Sequence, residues 1–183
     1  MPGRAFDPLR LDVAAFAAEG ASLEGRFPVR TLERLCEGTA PEAPPAEADD
    51  VAWRVQGELL PVAGGAPQTW LRLRAAADVA LTCQRCLAPV RVPLDVNRRI
   101  LFVAGEDAAA QLDAEREEDV LALSRALDLR ELIEDELLLA EPLVPLHDVC
   151  PEPLLSPDDP PDADPEAHPF AGLAALKRRA PPH

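Results

Sequence analysis

The sequence predicts an α+β fold in which a largely antiparallel β-sheet packs against one main helix at about residues 128–140. Apolar and polar residues alternate over long stretches in the middle of the chain, with the two-residue period typical of half-buried strands. A stripe of apolar residues at helical spacing follows these strands. Because the strands follow one another and precede the helix, we expect hairpin pairing rather than a parallel sheet with crossover helices.

The N-terminal region is predicted to contain a short helix, a strand and a second short helix. Residues 11–20 form the first helix, and residues 21–30 alternate as in a strand. Thr31 is placed to cap the next helix, and Gly38 is placed to end it. Residues 39–50 are mostly proline, alanine and acidic residues, so we predict a loop insert there.

The clearest pattern predicts three consecutive strands in the middle of the chain. Apolar or small residues hold the odd positions of 51–59 and of 71–83, and a turn region with two glycines lies between them at 61–68. Over residues 90–102 the apolar residues hold mainly the even positions. Each strand therefore presents one apolar face and one polar face.

The last two of these strands are predicted to form a hairpin in which Cys83 lies opposite Cys86. In that register the numbers of paired residues sum to 169, and two opposite-charge pairs face each other across the strands. The pairs are Asp78 with Arg91 and Arg74 with Asp95. Because the tip residues Gln84 and Arg85 lack the glycine that tight hairpins prefer, a wider loop is an alternative.

The segment that follows the sheet is acidic and rich in alanine over residues 104–117, where we predict a mobile loop. Residues 120–122 can add a short edge strand. Asp128 is placed to cap the main helix, and Pro142 ends it. The predicted buried stripe of this helix is Leu129, Leu132, Ile133, Leu137 and Ala140. The three consecutive acids at 134–136 are interpreted as part of its solvated side.

The domain organisation follows from where the 21 prolines of this 183-residue chain lie. We predict a single α+β domain over residues 1–150 and an extended Pro/Asp-rich linker over 151–168. A short basic amphipathic tail helix is predicted at 169–180, with Phe170 on its apolar side. Three basic residues close the tail helix: Lys177, Arg178 and Arg179. This tail is either a tethered docking motif or a frayed terminus.

The formal net charge is −15, which excludes a protein that coats nucleic acid through bulk charge alone. The charge is uneven, because residues 51–103 carry +4, residues 104–166 carry −17 and residues 167–183 carry +3. A local contact with RNA therefore stays compatible with the sequence. No stretch approaches 18 uncharged apolar residues, and acids interrupt the N-terminal apolar residues, so we expect a cytoplasmic protein without a membrane span.

The polar side of the predicted sheet carries a cluster of arginines that could bind RNA or another partner. Arg74 and Arg91 have acidic partners in the register above. The remaining candidates are Arg54, Arg72, Arg85 and Arg99. The alternative interpretation is ordinary charge on an exposed strand face.

Two pairs of residues with metal-ligand spacing stand about 60 residues apart. Cys83 and Cys86 form a Cys-x-x-Cys pair, and His147 and Cys150 form a His-x-x-Cys pair. Together they offer three sulfurs and one nitrogen, which is a known structural zinc set, so a structural zinc ion is the candidate cofactor. The alternatives are small buried thiols or, less favoured, a thiol redox pair.

No catalytic pattern accompanies these residues. The sequence contains no nucleophile elbow, no phosphate-binding glycine loop and no recognisable Ser-His-Asp arrangement, so we predict neither an enzyme nor a small-molecule substrate.

Several segments, in their order along the chain, resemble the YceD family of large ribosomal RNA subunit accumulation proteins. They are Leu81-Thr82-Cys83-Gln84-Arg85-Cys86, the helix from Asp128 to Ala140, Pro142-Leu143-Val144-Pro145-Leu146-His147 leading to Cys150, and the ending from His168 to Arg179. The resemblance implies a cytoplasmic, non-enzymatic bacterial factor in the synthesis, processing or stability of 23S ribosomal RNA. Its partner would be ribosomal RNA or a precursor of the large subunit.

The charge pattern leaves a second hypothesis open. The −17 segment could make the protein an acidic interaction module that holds a basic ribosomal protein.

Overall fold

Four long antiparallel strands and one short parallel strand form a five-stranded sheet in the order β1-β2-β3-β4-β5. The structure is a computed structural model that describes residues 5–151. The strands are β1 Ser22–Pro28, β2 Asp50–Leu60, β3 Gln68–Thr82, β4 Pro89–Val103 and β5 Val120–Ala122. Only β5 is parallel to its neighbour. The α+β class with a largely antiparallel sheet is confirmed.

Helices cover the sheet on both faces, although unequally. They are α1 Val13–Ala18, α2 Glu33–Glu37, α3 Glu106–Asp113 and α4 Leu129–Ala140. A short 3-10 turn precedes α2. The predicted cap at Thr31 is wrong, because the residue that precedes α2 is Leu32 and Thr31 instead donates its hydroxyl to the carbonyl of Pro28 at 2.7 Å. Among residues 5–151 there is no helix long and apolar enough to cross a bilayer.

The main core lies between the sheet and helices α1, α2 and α4, on what we call the inner face. Most apolar strand positions predicted to be buried do point into this core, whereas Leu59 at the end of β2 is exposed. The main helix is confirmed, and Asp128 caps it by accepting hydrogen bonds from the backbone N–H groups of Arg130 and Glu131. Its fully buried side chains include Leu129, Ile133 and Leu137.

The opposite side of the sheet, the outer face, is mostly polar and exposed. Its central residues are Arg26, Arg54, Gln56, Arg72, Arg74, Ala76, Asp78, Arg91, Asp95, Asn97 and Arg99. At one end of this face α3 packs over a second apolar cluster formed by Trp70, Leu101, Ala109 and Val120. The arginines therefore surround an open sheet surface, with a helix at one border.

The mobile loop predicted at 104–117 is wrong, because α3 occupies most of it. Its first turn carries Glu106 and Asp107, which suit the positive end of a helix. Ala109 is buried in the cluster that also contains Trp70, Leu101 and Val120, and Leu112 packs on the same cluster. A tertiary contact on the outer face thus stabilises a helix that the acidic composition concealed.

The predicted hairpin register is wrong by two residues, and the wider loop is confirmed. In the structure Val79 lies opposite Val92, so the paired numbers sum to 171. Arg74 faces Asn97 rather than Asp95. A shift of two preserves which face each side chain occupies, and for that reason the apolar pattern could not reveal it. Arg91 still reaches Asp78 diagonally at 3.7 Å.

The prediction that the three acids at 134–136 lie on the solvated side of α4 is wrong for two of them. Glu134 and Glu136 are buried, whereas Asp135 is exposed. Glu136 pairs with Arg98 at 3.1 Å, and burial raises the pKa of its carboxyl although Arg98 opposes that shift. Ala140, predicted to be buried, is exposed.

Residues 39–49, within the predicted loop insert, form neither helix nor strand, and β2 follows at Asp50. The predicted linker at 151–168 lies outside the described residues except for Pro151, and the tail helix at 169–180 lies wholly outside them.

Candidate metal centre and arginine surface

The turn between β3 and β4 presents Cys83 and Cys86 on one side of a tight knuckle. The N–H of Cys83 donates to the carbonyl of Ala88 at 3.0 Å, and the N–H of Leu87 donates to the carbonyl of Cys83 at 2.9 Å. Leu87 adopts a left-handed backbone conformation with φ 62°. These constraints shape the six-residue connection between β3 and β4, residues 83–88, which holds both thiols.

The loop after α4 folds back onto this knuckle and brings His147 and Cys150 to it. The N–H of Gln84 donates to the carbonyl of Pro145 at 2.9 Å. The guanidinium of Arg85 donates to the carbonyl of His147. Side chain and backbone thus join two segments that are about 60 residues apart in the sequence.

The four predicted ligands come together, and their donor atoms all lie within 4.8 Å of one another. Donors bound tetrahedrally to zinc at about 2.0–2.3 Å lie roughly 3.5–3.8 Å apart, so only a small contraction is needed. The imidazole Nδ1 of His147 lies 3.4 Å from the sulfur of Cys86. The cluster could therefore bind a metal ion.

The second nitrogen of the same imidazole selects the tautomer that a metal needs. Nε2 of His147 lies 3.0 Å from the carbonyl oxygen of Pro89. A carbonyl can only accept, so Nε2 carries the proton and Nδ1 presents its lone pair towards the thiols. This arrangement is typical of a metal-ligating histidine.

Cys83 is fully buried and yet favours its thiolate form. Burial alone would raise the pKa of this thiol, but the backbone N–H groups of Cys86, His147 and Arg85 outweigh burial and lower it to about 5. Burial raises the pKa of Cys150, and the neighbouring thiols add to that effect. Several thiols packed this closely are better accommodated by a cation, which fits the donor set.

The geometry favours a structural over a catalytic or redox centre. Four protein donors leave no open coordination position for a substrate. The Cys-x-x-Cys pair joins two strands and is not at a helix N-terminus, where redox pairs are activated. Cys36 lies elsewhere, with its sulfur 3.2 Å from the carbonyl oxygen of Val29.

Three of the four predicted arginine candidates share the outer face. Arg72 and Arg99 lie opposite each other across β3 and β4, and both reach Glu58, at 3.1 and 3.5 Å. Arg99 also lies over the ring of Trp70, 4.3 Å from its centroid. Arg54 pairs with an acid at a looser distance of 3.8 Å.

The fourth candidate is at a different place. Arg85 lies at the hairpin tip, where its guanidinium donates hydrogen bonds to the carbonyl groups of His147 and Asp148 in the loop after α4. The four candidates therefore do not form one patch.

Arg74 was not among the predicted binding residues, because the predicted register paired it with Asp95. In the observed register it lies between Arg54 and Asn97, and among residues 5–151 no hydrogen bond or ion pair engages its side chain. The one indication in the sequence was the glycine-free hairpin tip, because a wider connection shifts Arg74 away from Asp95.

The fold and the cluster define a class: a protein with a largely antiparallel sheet whose central hairpin carries at its tip a Cys₃His cluster that could hold a metal ion. Residues 71–177 match the family model described as "Large ribosomal RNA subunit accumulation protein YceD". A relative of that same description in Haemophilus influenzae is 30% identical over 177 residues, covering 94% of this chain and 97% of the relative. The chain belongs to the YceD family. No solved structure matches it.

Proposed function

We propose that this protein is a non-enzymatic, cytoplasmic factor that binds 23S ribosomal RNA, free or within a precursor of the large subunit, and supports its accumulation. The observation that carries the proposal is the near full-length similarity to a protein named for large ribosomal RNA subunit accumulation. That similarity spans 94% of the chain, which includes most of the sheet and the loop with His147 and Cys150, so it supports a shared role for the whole domain.

The outer face supports direct contact with RNA. Arg54, Arg72 and Arg99 project from three adjacent strands of an exposed, open surface, where guanidinium groups can meet successive phosphates. The strongly acidic remainder of the chain limits nonspecific association, so that binding depends on this local surface.

The metal cluster supports a structural zinc ion. Such an ion would fasten the hairpin tip to the loop after α4 and so hold the beginning of β4 in place. The role is architectural, because all four donors come from the protein.

The function is tested in cells that lack the gene and carry a tagged copy. We expect reduced 23S ribosomal RNA and 50S particles without the gene, and recovery with the wild-type copy. Ultraviolet crosslinking of the tagged protein, with RNA and protein both sequenced, should recover 23S fragments. Normal 23S levels in the deletion strain, or crosslinks to a basic ribosomal protein without RNA, would contradict the proposal.

Zinc is tested by elemental analysis of the purified full chain. We expect one zinc per chain in the wild type and in Cys36→Ser, and loss of zinc in Cys83→Ser. Cys36 is the matched control because it is the free thiol outside the cluster. Equal metal content in both variants would refute the proposed ligand set.

A further inference from the structure

A small hollow on the outer face is lined by three guanidinium groups and one amide. Its lining residues are Arg54, Gln56, Arg72 and Arg74, and its volume is about 130 Å³. At about 30 Å³ per water molecule, this is room for roughly four waters, the scale of one phosphate group with a water beside it. All lining groups are hydrogen-bond donors and none is acidic.

The strand register places like charges directly opposite each other around this hollow. Arg54 faces Arg74 across β2 and β3, and Arg72 faces Arg99 across β3 and β4. Directly opposed like charges in a sheet are unfavourable unless an anion lies near them. For Arg72 and Arg99 that anion is Glu58, which both arginines reach within 3.5 Å.

The Arg54–Arg74 pair has no comparable anion within the described part of the chain. Arg54 contacts Glu24 only at 3.8 Å, with both side chains more than half exposed, so the contact is weak. Arg74 has no acidic partner among residues 5–151, and its neighbour on β4 is Asn97. An uncompensated guanidinium therefore remains at the border of the hollow.

A larger, open depression adjoins this hollow on the outer face. Ala52 and Ala76 lie side by side and line an open depression of about 710 Å³. Its other lining residues include Arg26, Arg54 and Arg74 as well as two acids, Glu24 and Asp95. The small side chains of Ala52 and Ala76 let an extended ligand lie close to the sheet. The depression continues from the hollow, since the two share Arg54 and Arg74.

We infer that the hollow binds one phosphate of an RNA backbone, held by Arg54, Arg72 and Arg74 with Gln56 donating its amide, and that the flanking nucleotide lies in the Ala52–Ala76 depression. The phosphate supplies the anion that the Arg54–Arg74 pair lacks. Guanidinium groups bind phosphate with paired, charge-assisted hydrogen bonds, which suits a forked arrangement of three arginines. This inference rests on the proposed RNA contact and assigns its central site, with Arg74 rather than Arg99 as the key residue.

The test compares two arginines of the same face in the full-length protein. Arg74→Gln removes the unpaired guanidinium, and Arg91→Gln is the matched control because Arg91 is outside the hollow and pairs with Asp78. Binding of a fluorescein-labelled, unstructured 12-nucleotide RNA is measured by anisotropy at several salt concentrations. We expect Arg74→Gln to weaken binding about tenfold and to reduce the slope of log K against log salt by roughly 0.7. Arg91→Gln should change affinity less than about twofold.

Nuclear magnetic resonance of the arginine Nε–H groups separates phosphate from other contacts. We expect the RNA to shift the Nε–H signals of Arg54, Arg72 and Arg74, and inorganic phosphate to shift the same three at higher concentration. Equal weakening by both variants would indicate bulk charge and overturn the inference. Shifts with inorganic phosphate but not with RNA would assign the hollow to free phosphate and also overturn it.

Failure of this site is distinguishable from failure of the proposed function. If RNA crosslinks persist in cells while Arg74→Gln binds RNA like the wild type, the RNA contact lies elsewhere on the protein and only the inference fails. If no RNA crosslinks at all, the proposed function fails with it.

Discussion

At the residue scale, a buried carboxylate replaces a local helix cap. Glu134 on α4 accepts hydrogen bonds from the backbone N–H groups of Arg34 and Leu35, at 2.8 and 3.2 Å. These are first-turn donors of α2, whose preceding residue, Leu32, has no capping side chain. The guanidinium of Arg34 also forms a salt bridge with the same carboxylate, at 3.0 Å.

Removing this carboxylate should be costly. Glu134→Ala leaves two N–H groups and a guanidinium without their acceptor, so we expect the free energy of unfolding to fall by about 3 kcal/mol. Asp135→Ala removes an exposed partner of the same arginine and should cost less than about 1 kcal/mol. Urea denaturation at pH 7 measures both. Equal losses would show that Glu134 acts only as a surface ion pair.

A second carboxyl provides a pH-dependent prediction. Glu141 follows α4, and burial raises the pKa of its carboxyl. Its Oε1 is buried and has no hydrogen-bond partner in the described part of the chain. Since the folded-state pKa exceeds the unfolded one, the stability contribution of this group is present at low pH and lost as pH rises through the folded pKa.

Glu141→Gln should therefore raise the melting temperature relative to wild type at pH 7.5, because the amide carries no charge to desolvate. The difference should shrink as pH falls towards 4.5, where the wild-type carboxyl becomes protonated. Thermal melts across this range measure it, with the exposed Glu42→Gln as control. A difference independent of pH would mean that the charge of Glu141 is not involved.

At the element scale, α1 rests directly on β2 through one glycine. A Cβ at Gly57 would lie 2.7 Å from the Cα of Ala17 and 2.8 Å from a ring carbon of Phe16. Phe16 is fully buried, so α1 cannot move away without opening the core. The glycine in the predicted strand thus permits a close helix–strand approach.

Gly57→Ala should destabilise the protein by about 1–3 kcal/mol, because the added methyl group forces α1 off the sheet. Gly65→Ala is the control, since a Cβ there meets its nearest atom at an ordinary 3.7 Å. Chemical denaturation compares the two. A neutral Gly57→Ala would show that α1 packs loosely.

At the scale of the whole molecule, the Cys₃His cluster brings together the hairpin tip and the loop after α4. Neither of the two apolar clusters includes Cys83, and the loop at 141–150, which carries His147 and Cys150, is largely exposed. Stability of the domain should thus depend on the metal only in part.

Removing zinc with a chelator should lower the melting temperature by about 5–10 °C, because a tightly bound ion adds roughly 3 kcal/mol to a chain of this size. The far-ultraviolet circular dichroism of the sheet should persist below the transition. Cys83→Ser should melt at the chelated temperature and no longer respond to chelator, whereas Cys36→Ser should respond fully. A wild type unaffected by chelator would contradict a stabilising ion.

Deleting residues 168–183 should weaken binding to ribosomal RNA while leaving the melting temperature within about 1 °C. The reason is that residues 5–151 by themselves form both apolar clusters described above, and the deleted segment carries +3. Replacing Lys177, Arg178 and Arg179 with glutamine should weaken binding similarly. A large loss of stability on deletion would mean that Phe170 packs on the core.

The sequence by itself determined the strands, their apolar faces and the capped main helix, and it marked four candidate metal ligands, because period, capping chemistry and ligand spacing are local properties. Only the tertiary structure decided the hairpin register, the helix at Glu106–Asp113 and the burial of Glu134. The register stays hidden because a two-residue shift preserves the face of every side chain. The other two depend on partners far away in the chain: the alanine-rich helix needs the apolar cluster of Trp70, Leu101 and Val120, and the buried carboxylate needs the N–H groups of α2. The unpaired Arg74 is decided at this level too, since its neighbours follow from the register.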